Sequence, residues 1–408
     1  MNCRFCNTKL DSTFIDLVNS PPSNSFLSKE QLNEPELFYP LKVHVCDKCF
    51  LVQLDEFKKS EAIFDKEYVY FSSFSTSWLK HCATYVEMMI SRFSLNKESQ
   101  VIELASNDGY LLQYFKQADI KVLGVEPTAN TAAAAEKKGI TSVVDFFSVN
   151  LAKELVKKGI KADVLLGNNV LAHVPDINDF VGGMSLILKD NGVITMEFPH
   201  LLQLMDKNQF DTIYHEHFSY LSLSTVKQIF EKQNLCIFDV EEIPTHGGSL
   251  RIFAKHMNDN SRAVSEAVKK LEDKEKQFGL NDIATYSKFQ VKANKIKNDF
   301  LEFLLTAKKQ NKKVAAYGAA AKGNTLLNYC GVKSDMISFV VDANPAKQSK
   351  YLPGAHIPVF SETTIREQKP DYIIIFPWNI KEEVIEQLKY VKDWDAKFVV
   401  AIPQLNII

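Results

Sequence analysis

Two Cys-x-x-Cys pairs, Cys3/Cys6 and Cys46/Cys49, restrict this chain more than any other feature. The 39 residues between them must double back if four thiolates are to share one ion. Tetrahedral zinc is the expected occupant, and a shell of four cysteines leaves no open position for water or substrate, so the site is structural. A redox role fits less well, because there are two such pairs and neither follows a strand in a βαβ pattern. The remaining cysteines, Cys82, Cys236 and Cys330, are scattered singly, as reduced and mostly buried thiols are. Between the pairs, the turn-rich run Asn19-Ser20-Pro21-Pro22-Ser23-Asn24 can loop over a neighbouring domain, so that zinc would hold a lid or substrate-facing flap.

A zinc module raises the question of nucleic acid, which the charge answers. Residues 1–55 carry five Lys or Arg against seven Asp or Glu. The whole chain carries 48 against 50 for a net charge of −2, which gives no field for steering toward nucleic acid or an acidic membrane. No apolar run approaches the roughly 18 residues of a membrane span, and Met1-Asn2-Cys3-Arg4 lacks the apolar core of a signal peptide, so a cytoplasmic protein is expected. At 408 residues, 46% hydrophobic and 24% charged, the composition is globular and the length calls for two or three domains. Nothing in the sequence specifies an oligomer, and a monomer is the default expectation.

From residue 99 the pattern alternates. Val101-Ile102-Glu103-Leu104 reads as a strand, Gly109-Tyr110-Leu111-Leu112 opens a helix, and Val122-Leu123-Gly124-Val125-Glu126 is a second strand. Asp163–Gly167 and Gly192–Met196 read as further strands flanking a helix over Ile177 to Leu188. Ligands of such parallel α/β domains sit at the carboxyl ends of the strands. There the loop Ala105-Ser106-Asn107-Asp108-Gly109 is small and polar, and Glu126, followed by Pro127, offers a carboxylate to two ribose hydroxyls. Both NAD and S-adenosylmethionine suit that pair. The loop holds one glycine where an NAD fingerprint wants GxGxxG, which favours S-adenosylmethionine, a ligand with no pyrophosphate. Asp145-Phe146-Phe147 at the next strand end would offer a carboxylate to an adenine amine and a ring to its face, and Asn168-Asn169 ends a further strand near the methyl group.

The run Tyr214-His215-Glu216-His217 packs a phenol, a carboxylate and two imidazoles together after Met196-Glu197-Phe198-Pro199, which reads as a strand end. It is therefore expected in or beside a loop at a sheet edge, with groups suited to moving protons. Further on, Ala293, Ile296, Phe300, Phe303 and Leu304 recur at helical spacing as a core stripe. Lys312-Lys313-Val314-Ala315-Ala316-Tyr317-Gly318 then starts a second βαβ pattern, continued by Phe339–Asp342 and Tyr372–Phe376. Its strand-to-helix turn, Ala319-Ala320-Ala321-Lys322-Gly323-Asn324, has the small residues and lysine that suit a pyrophosphate, which makes Lys322 and Asn324 substrate candidates. Trp378-Asn379 is a weaker candidate in the same region.

Taken in order, these residues resemble the sugar C-methyltransferases that modify nucleotide-linked keto sugars. The resemblance spans the chain. It rests on the two CxxC pairs, Tyr68-Val69-Tyr70-Phe71-Ser72-Ser73, Glu103 to Gly109, Asn169-Val170-Leu171-Ala172-His173-Val174-Pro175-Asp176, Tyr214 to His217, His246-Gly247-Gly248-Ser249-Leu250-Arg251 and Ala319 to Asn324. It implies an α/β protein in three parts: an N-terminal zinc-binding module (1–70), a central class I methyltransferase Rossmann-like domain (71–258) and a C-terminal Rossmann-like α/β domain holding the sugar nucleotide (311–408). A helical connection (259–310) joins the last two. It implies S-adenosylmethionine and structural zinc as cofactors, the metal on Cys3, Cys6, Cys46 and Cys49. It implies a nucleotide sugar, with dTDP as the expected carrier, as the partner, while the charge balance and the lack of a long apolar run already point away from nucleic acid and membrane. His217 matches the family's base, while Tyr68, His173, Tyr214 and Glu216 match its other functional groups. His215 matches no catalytic group. Glu103 joins the cofactor loop, and Tyr70, Ser72 and His246 join Lys322 and Asn324 on the substrate side. On its residues alone His173 reads as structural. Ala105 departs from the family, occupying a cofactor-loop position where methyltransferases prefer glycine.

The chemistry explains the groups. A sugar C–H becomes acidic enough to lose its proton only beside a carbonyl, so a keto sugar is the expected substrate. A histidine is a suitable base near neutral pH, Glu216 can orient it, and Tyr68, Tyr214 and His173 can donate to the oxyanion, each good donor being worth roughly 3 kcal/mol. Two other functions are compatible with parts of the sequence. One is an NAD-dependent sugar-nucleotide oxidoreductase using the α/β domains, and the other a zinc-dependent interaction module, against which the charge balance weighs.

Overall fold

Hydrogen-bonded strands β1 (Ser12–Ser20), β2 (Tyr39–Val45) and β3 (Val52–Leu54) form an antiparallel sheet whose fourth strand comes from far along the chain. That strand, β9 (Ser219–Tyr220), pairs Val52 with Tyr220 and Gln53 with Ser219. The computed structural model describes residues 1–57, 71–74 and 76–408, so the candidates Tyr68 and Tyr70 lie outside the described residues.

The central sheet has seven strands. They are β4 (Gln100–Leu104), β5 (Lys121–Val125), β6 (Ser142–Val143), β7 (Ala162–Asn168), β8 (Leu188–Pro199), β10 (Leu235–Ile243) and β11 (Ser249–His256), in the order β10-β11-β8-β7-β4-β5-β6. The pairs from β8 to β6 are parallel, and β10 and β11 join antiparallel at the other edge. Covered on both faces, the parallel strands are near-continuous apolar runs, and alternate residues serve opposite layers. Val101, Val164 and Leu166 pack under the helices Thr76–Phe93 and Leu112–Gln117. Ile102, Leu104 and Leu165 face the helices Val149–Lys157, Ile177–Ile187 and Leu223–Lys232. Ser148, Asp176 and Ser222 start those three helices, each side-chain oxygen accepting from a backbone N–H of the first turn.

The C-terminal sheet has six strands, β12 (Val314–Tyr317), β13 (Val340–Val341), β14 (Val359–Phe360), β15 (Tyr372–Ile375), β16 (Lys397–Val400) and β17 (Asn406–Ile407), in the order β14-β13-β12-β15-β16-β17. All pairs are parallel except the last. The helix Phe289–Lys309 buries the stripe read from spacing, extended by Phe289 and Ala307. Its N-terminal end also covers β1, where Phe14 stacks on Phe289 at 4.8 Å between ring centroids. One apolar core thus joins the first strands of the chain to the C-terminal sheet. The expected connection at 259–310 is divided between two cores, because Val268 and Leu271 of the helix Glu266–Phe278 pack instead with the central domain. Among the described residues no helix is long and apolar enough to cross a membrane.

Candidate active site

The four cysteines converge, all their sulfurs lying within 4.8 Å of one another. Cys3 and Cys49 are 3.6 Å apart and Cys6 and Cys46 3.5 Å, close to the roughly 3.8 Å edge of a tetrahedron built on Zn–S bonds of about 2.3 Å. Gln53 Nε2 donates to Cys3 Sγ at 3.2 Å, a contact suited to a thiolate. The donor set and its spacing fit zinc. The module is bolted to the central domain: Arg4 Nη1 donates to the Pro175 carbonyl at 2.7 Å, and Asn178 Nδ2 to the Arg4 carbonyl at 2.9 Å. On the other side β3 leads to β9, which directly follows the Tyr214–His217 run. That run therefore borders the N-terminal sheet rather than the edge of the sheet in which Pro199 ends.

At the carboxyl end of β4 the cofactor loop turns sharply, with Ala105 at φ +56° and Asn107 at φ +48°. The left-handed backbone explains the family's glycine at the first position; alanine there costs about 1 kcal/mol. Glu126 ends β5 and pins the loop: its Oε2 accepts from Asn107 N at 2.8 Å and its Oε1 from Thr128 N at 2.9 Å, across Pro127. Ser72, expected on the substrate side, lies against this loop instead, its N–H donating to Asn107 Oδ1 at 2.9 Å. Glu103 is wholly buried, and desolvation raises its pKa well above the ordinary carboxylate value, opposed by the Tyr110 hydroxyl. Beside the loop, Asn168 at the end of β7 is buried with neither amide atom partnered among the described residues, as are Ser106 Oγ and Asp108 Oδ1. Buried polar atoms of this kind need a partner. An S-adenosylmethionine molecule lying across the strand ends would provide one, and in that sense the residues fit the group. The expected adenine end is less convergent. Asp145 is exposed beyond β6, Phe146 is half-buried, and Phe147 packs edge-on against Phe180 at 5.4 Å, as core.

Across the strand ends stands His217, buried. The Thr212 carbonyl lies 2.9 Å from Nδ1, and since a carbonyl only accepts, Nδ1 carries the proton and Nε2 the lone pair. Desolvation first, then the neighbouring His173, hold its pKa well below the usual imidazole value, the Thr212 bond opposing them. The His173 ring is edge-on at 4.7 Å, bonded to the Glu216 backbone, its pKa pushed down to about 4 by desolvation. The Tyr214 ring lies 4.0 Å from that of His217. Orientation of the His217 ring thus comes from a backbone carbonyl, and Glu216 Oε1 accepts from Asn24 Nδ2 at 2.7 Å. His215 turns away to the Pro40 carbonyl at 3.2 Å. His246, left-handed at φ +55°, accepts at Nε2 from Asn169 Nδ2 at 3.0 Å, and its pKa is pushed down to about 4 by desolvation, then by the charge of Lys322.

The C-terminal domain closes the far side. Asn324 is buried and donates to the Ser23 carbonyl at 2.6 Å, and Thr325 Oγ1 donates to the Ile213 carbonyl at 2.8 Å. The proline-rich segment does loop over: Ser23 and Asn24 lie between the C-terminal helix Ala321–Cys330 and the histidine run. Lys322 Nζ donates to Asn379 Oδ1 at 2.8 Å and sits 4.3 Å from the centroid of the Trp378 ring. Trp378 Nε1 in turn donates to Asp211 Oδ2 at 2.7 Å. Gly247 leaves room for that indole, since a Cβ there would come within 2.4 Å of Trp378 Cη2. Asn169 and Asn24 lie in runs the sequence singled out, whereas Asp211 carries no local sequence signal. Trp78, whose ring lies 5.4 Å from that of His246 and stacks on His81 at 4.9 Å, was equally silent.

Residues 3–64 match the sequence model of a zinc-binding domain, 78–240 that of a methyltransferase domain and 244–403 that of a C-methyltransferase C-terminal domain. C-methyltransferase NovU of Streptomyces niveus is 32% identical over 406 residues, spanning 100% of this chain and 96% of that protein. A ubiquinone biosynthesis O-methyltransferase of Rhodopseudomonas palustris (strain BisA53) is 25% identical over 97 residues, 24% of this chain and 38% of that protein. Among solved structures, an S-adenosylmethionine-dependent methyltransferase from Clostridium acetobutylicum aligns at 11% identity and a TM-score of 0.36, over 44% of this chain and 92% of that one.

Proposed function

The chain belongs to the family of S-adenosylmethionine-dependent C-methyltransferases that join a zinc-binding domain, a methyltransferase domain and a C-methyltransferase C-terminal domain, and from that premise we propose that its substrate is a nucleotide-linked deoxy keto sugar. The carrier in this reading is dTDP, and the methylated atom is the ring carbon beside the ketone. Residues 1–70 hold zinc, 71–258 the methyl donor and 311–408 the sugar nucleotide.

The observation that carries the reading is the tautomer and placement of His217. Its proton is committed to the Thr212 carbonyl, so the neutral ring presents Nε2 as a base, among the rings of His173, Tyr214 and Tyr220. Nε2 takes the proton from the ring carbon, the C–H electron pair moves toward the carbonyl oxygen, and the charge that forms there offsets the unfavourable imidazolium. Tyr214 stands beside the base as a hydrogen-bond donor to that oxygen, with Tyr68 assigned to it by resemblance, whereas neutral His173, its one N–H held by the Glu216 backbone, packs edge-on against the base instead of donating. Bound S-adenosylmethionine supplies an electrophilic methyl group. Glu126, Asn107 and Asn168 hold and orient it, and His246, Lys322 and Asn324 face the sugar nucleotide.

His217→Asn tests this directly. Thermal-shift titration should show S-adenosylmethionine still raising the melting temperature, and NAD not raising it, while methyl gain read by mass over a panel of dTDP-linked keto sugars falls by roughly a hundredfold to ten-thousandfold. Full turnover in that variant would remove His217 from its role, and stabilisation by NAD alone would restore the oxidoreductase reading.

A further inference from the structure

Three imidazoles surround the reacting space, and all three are neutral at pH 7, since desolvation holds His217, His173 and His246 below their ordinary values. Once His217 has taken the proton, its imidazolium offsets part of the enolate charge, while His173 and His246 stay neutral and add none. Among the described residues, Lys322 is the cation whose field acts on both His217 and His246. Its side chain does not lie free over the turn that carries it. Asn379 Oδ1 accepts from Nζ at 2.8 Å, the Trp378 face lies 4.3 Å away, and the indole N–H of Trp378 is fixed by Asp211 at 2.7 Å. Asp211 is buried, its carboxylate also takes the backbone N–H groups of Asp211 and Thr212, and its charge reaches Lys322 through space. Aromatic face, amide and carboxylate together hold one ammonium, and Asp211 ties that assembly to the base, since the carbonyl of the next residue, Thr212, is the one that holds His217.

Resting on the keto-sugar reading above, we infer that Lys322 neutralises the enolate formed when His217 deprotonates the substrate, and that Asp211, acting through Trp378 and through space, is the residue that positions and charges Lys322. Lys322 thereby becomes a catalytic residue rather than a diphosphate contact. Burial pushes its pKa down to about 8 and Asp211 pushes it back up, so the cation is present below that pH and lost as pH rises through it. Asp211 is itself raised to about 6, chiefly by burial, and is ionised above that value.

The test separates enolisation from methyl transfer. A dTDP-linked deoxy keto sugar is incubated in deuterium oxide with S-adenosylhomocysteine, and exchange of the ring C–H is followed by NMR. Exchange should slow by about a hundredfold or more in Lys322→Met, with substrate dissociation constant changed less than about threefold, and Lys322→Arg should recover part of it. In Asp211→Asn, which keeps an acceptor for Trp378, the high-pH loss of exchange should move to lower pH. Unchanged exchange in Lys322→Met, a loss explained wholly by weaker substrate binding, or an unmoved pH limb in Asp211→Asn would each overturn the inference. Absence of exchange in the wild-type protein would overturn the keto-sugar reading itself.

Discussion

The turn after β4 and the turn after β12 are built on the same local device and put to different uses. In each, the strand runs into a left-handed residue, Ala105 at φ +56° in one and Gly318 at φ +88° in the other. In each, a carboxylate at the end of the next strand accepts from a backbone N–H of the turn: Glu126 from Asn107 at 2.8 Å, Asp342 from Ala319 at 2.8 Å. What differs is the neighbouring strand. β7 ends in Asn168, whose buried amide has no partner among the described residues. β15 instead runs on into Phe376 and Pro377, which fill the floor of the second turn against Gly323 and Gly318, and Lys347 Nζ caps the Ala319 carbonyl at 2.8 Å. The first turn is a cradle and the second a plug. A strand-turn-helix motif therefore does not by itself declare a ligand; the residues that end the adjacent strand decide.

That contrast can be broken most sharply at the two acids. Glu126→Ala should weaken S-adenosylmethionine binding by about tenfold to a hundredfold in titration calorimetry, given the loss of charge-assisted hydrogen bonds, and Asp342→Ala should leave it within about twofold. Equal losses would mean that the turns are not functionally distinct. A smaller effect is expected at the plug. Gly318→Ala places a Cβ 2.6 Å from Pro377 Cδ at positive φ, and urea unfolding should show a loss of about 2 kcal/mol. A neutral result there would show a loose floor. Least of all, Ala105→Gly relieves left-handed strain but loosens the unfolded chain, for a net gain of about 0.5 kcal/mol. Destabilisation at that site would contradict the strain read from its backbone.

Legibility in the sequence follows the range of the interaction. β4, β5 and β7 are local apolar runs buried on both faces, and each lies within a residue or two of where its pattern places it. The zinc cluster is legible because each CxxC carries its own short-range geometry. The pairing of β3 with β9 leaves no local trace, since residues far apart in sequence meet through backbone groups that any residue type supplies. Trp378 and Asp211 are 167 residues apart, so neither marks the other. The expected orienting role of Glu216 beside His217 is taken by a backbone group, because adjacent side chains in a turn diverge and the His217 bond goes to the Thr212 carbonyl five residues back. Phe146 and Phe147 follow a strand of two residues, too short for its end to fix what lies beyond it.

The borrowed strand has a consequence for the order of events in synthesis. β3 leaves the ribosome well over a hundred residues before Ser219 and Tyr220, and its outer edge stays unsatisfied until they arrive. A nascent chain can assemble its metal site before the segment that carries the proposed base has any register to adopt. Maturation of the Tyr214–His217 run is thus a long-range closure, the kind of contact that slows folding and leaves a strand edge exposed while it waits.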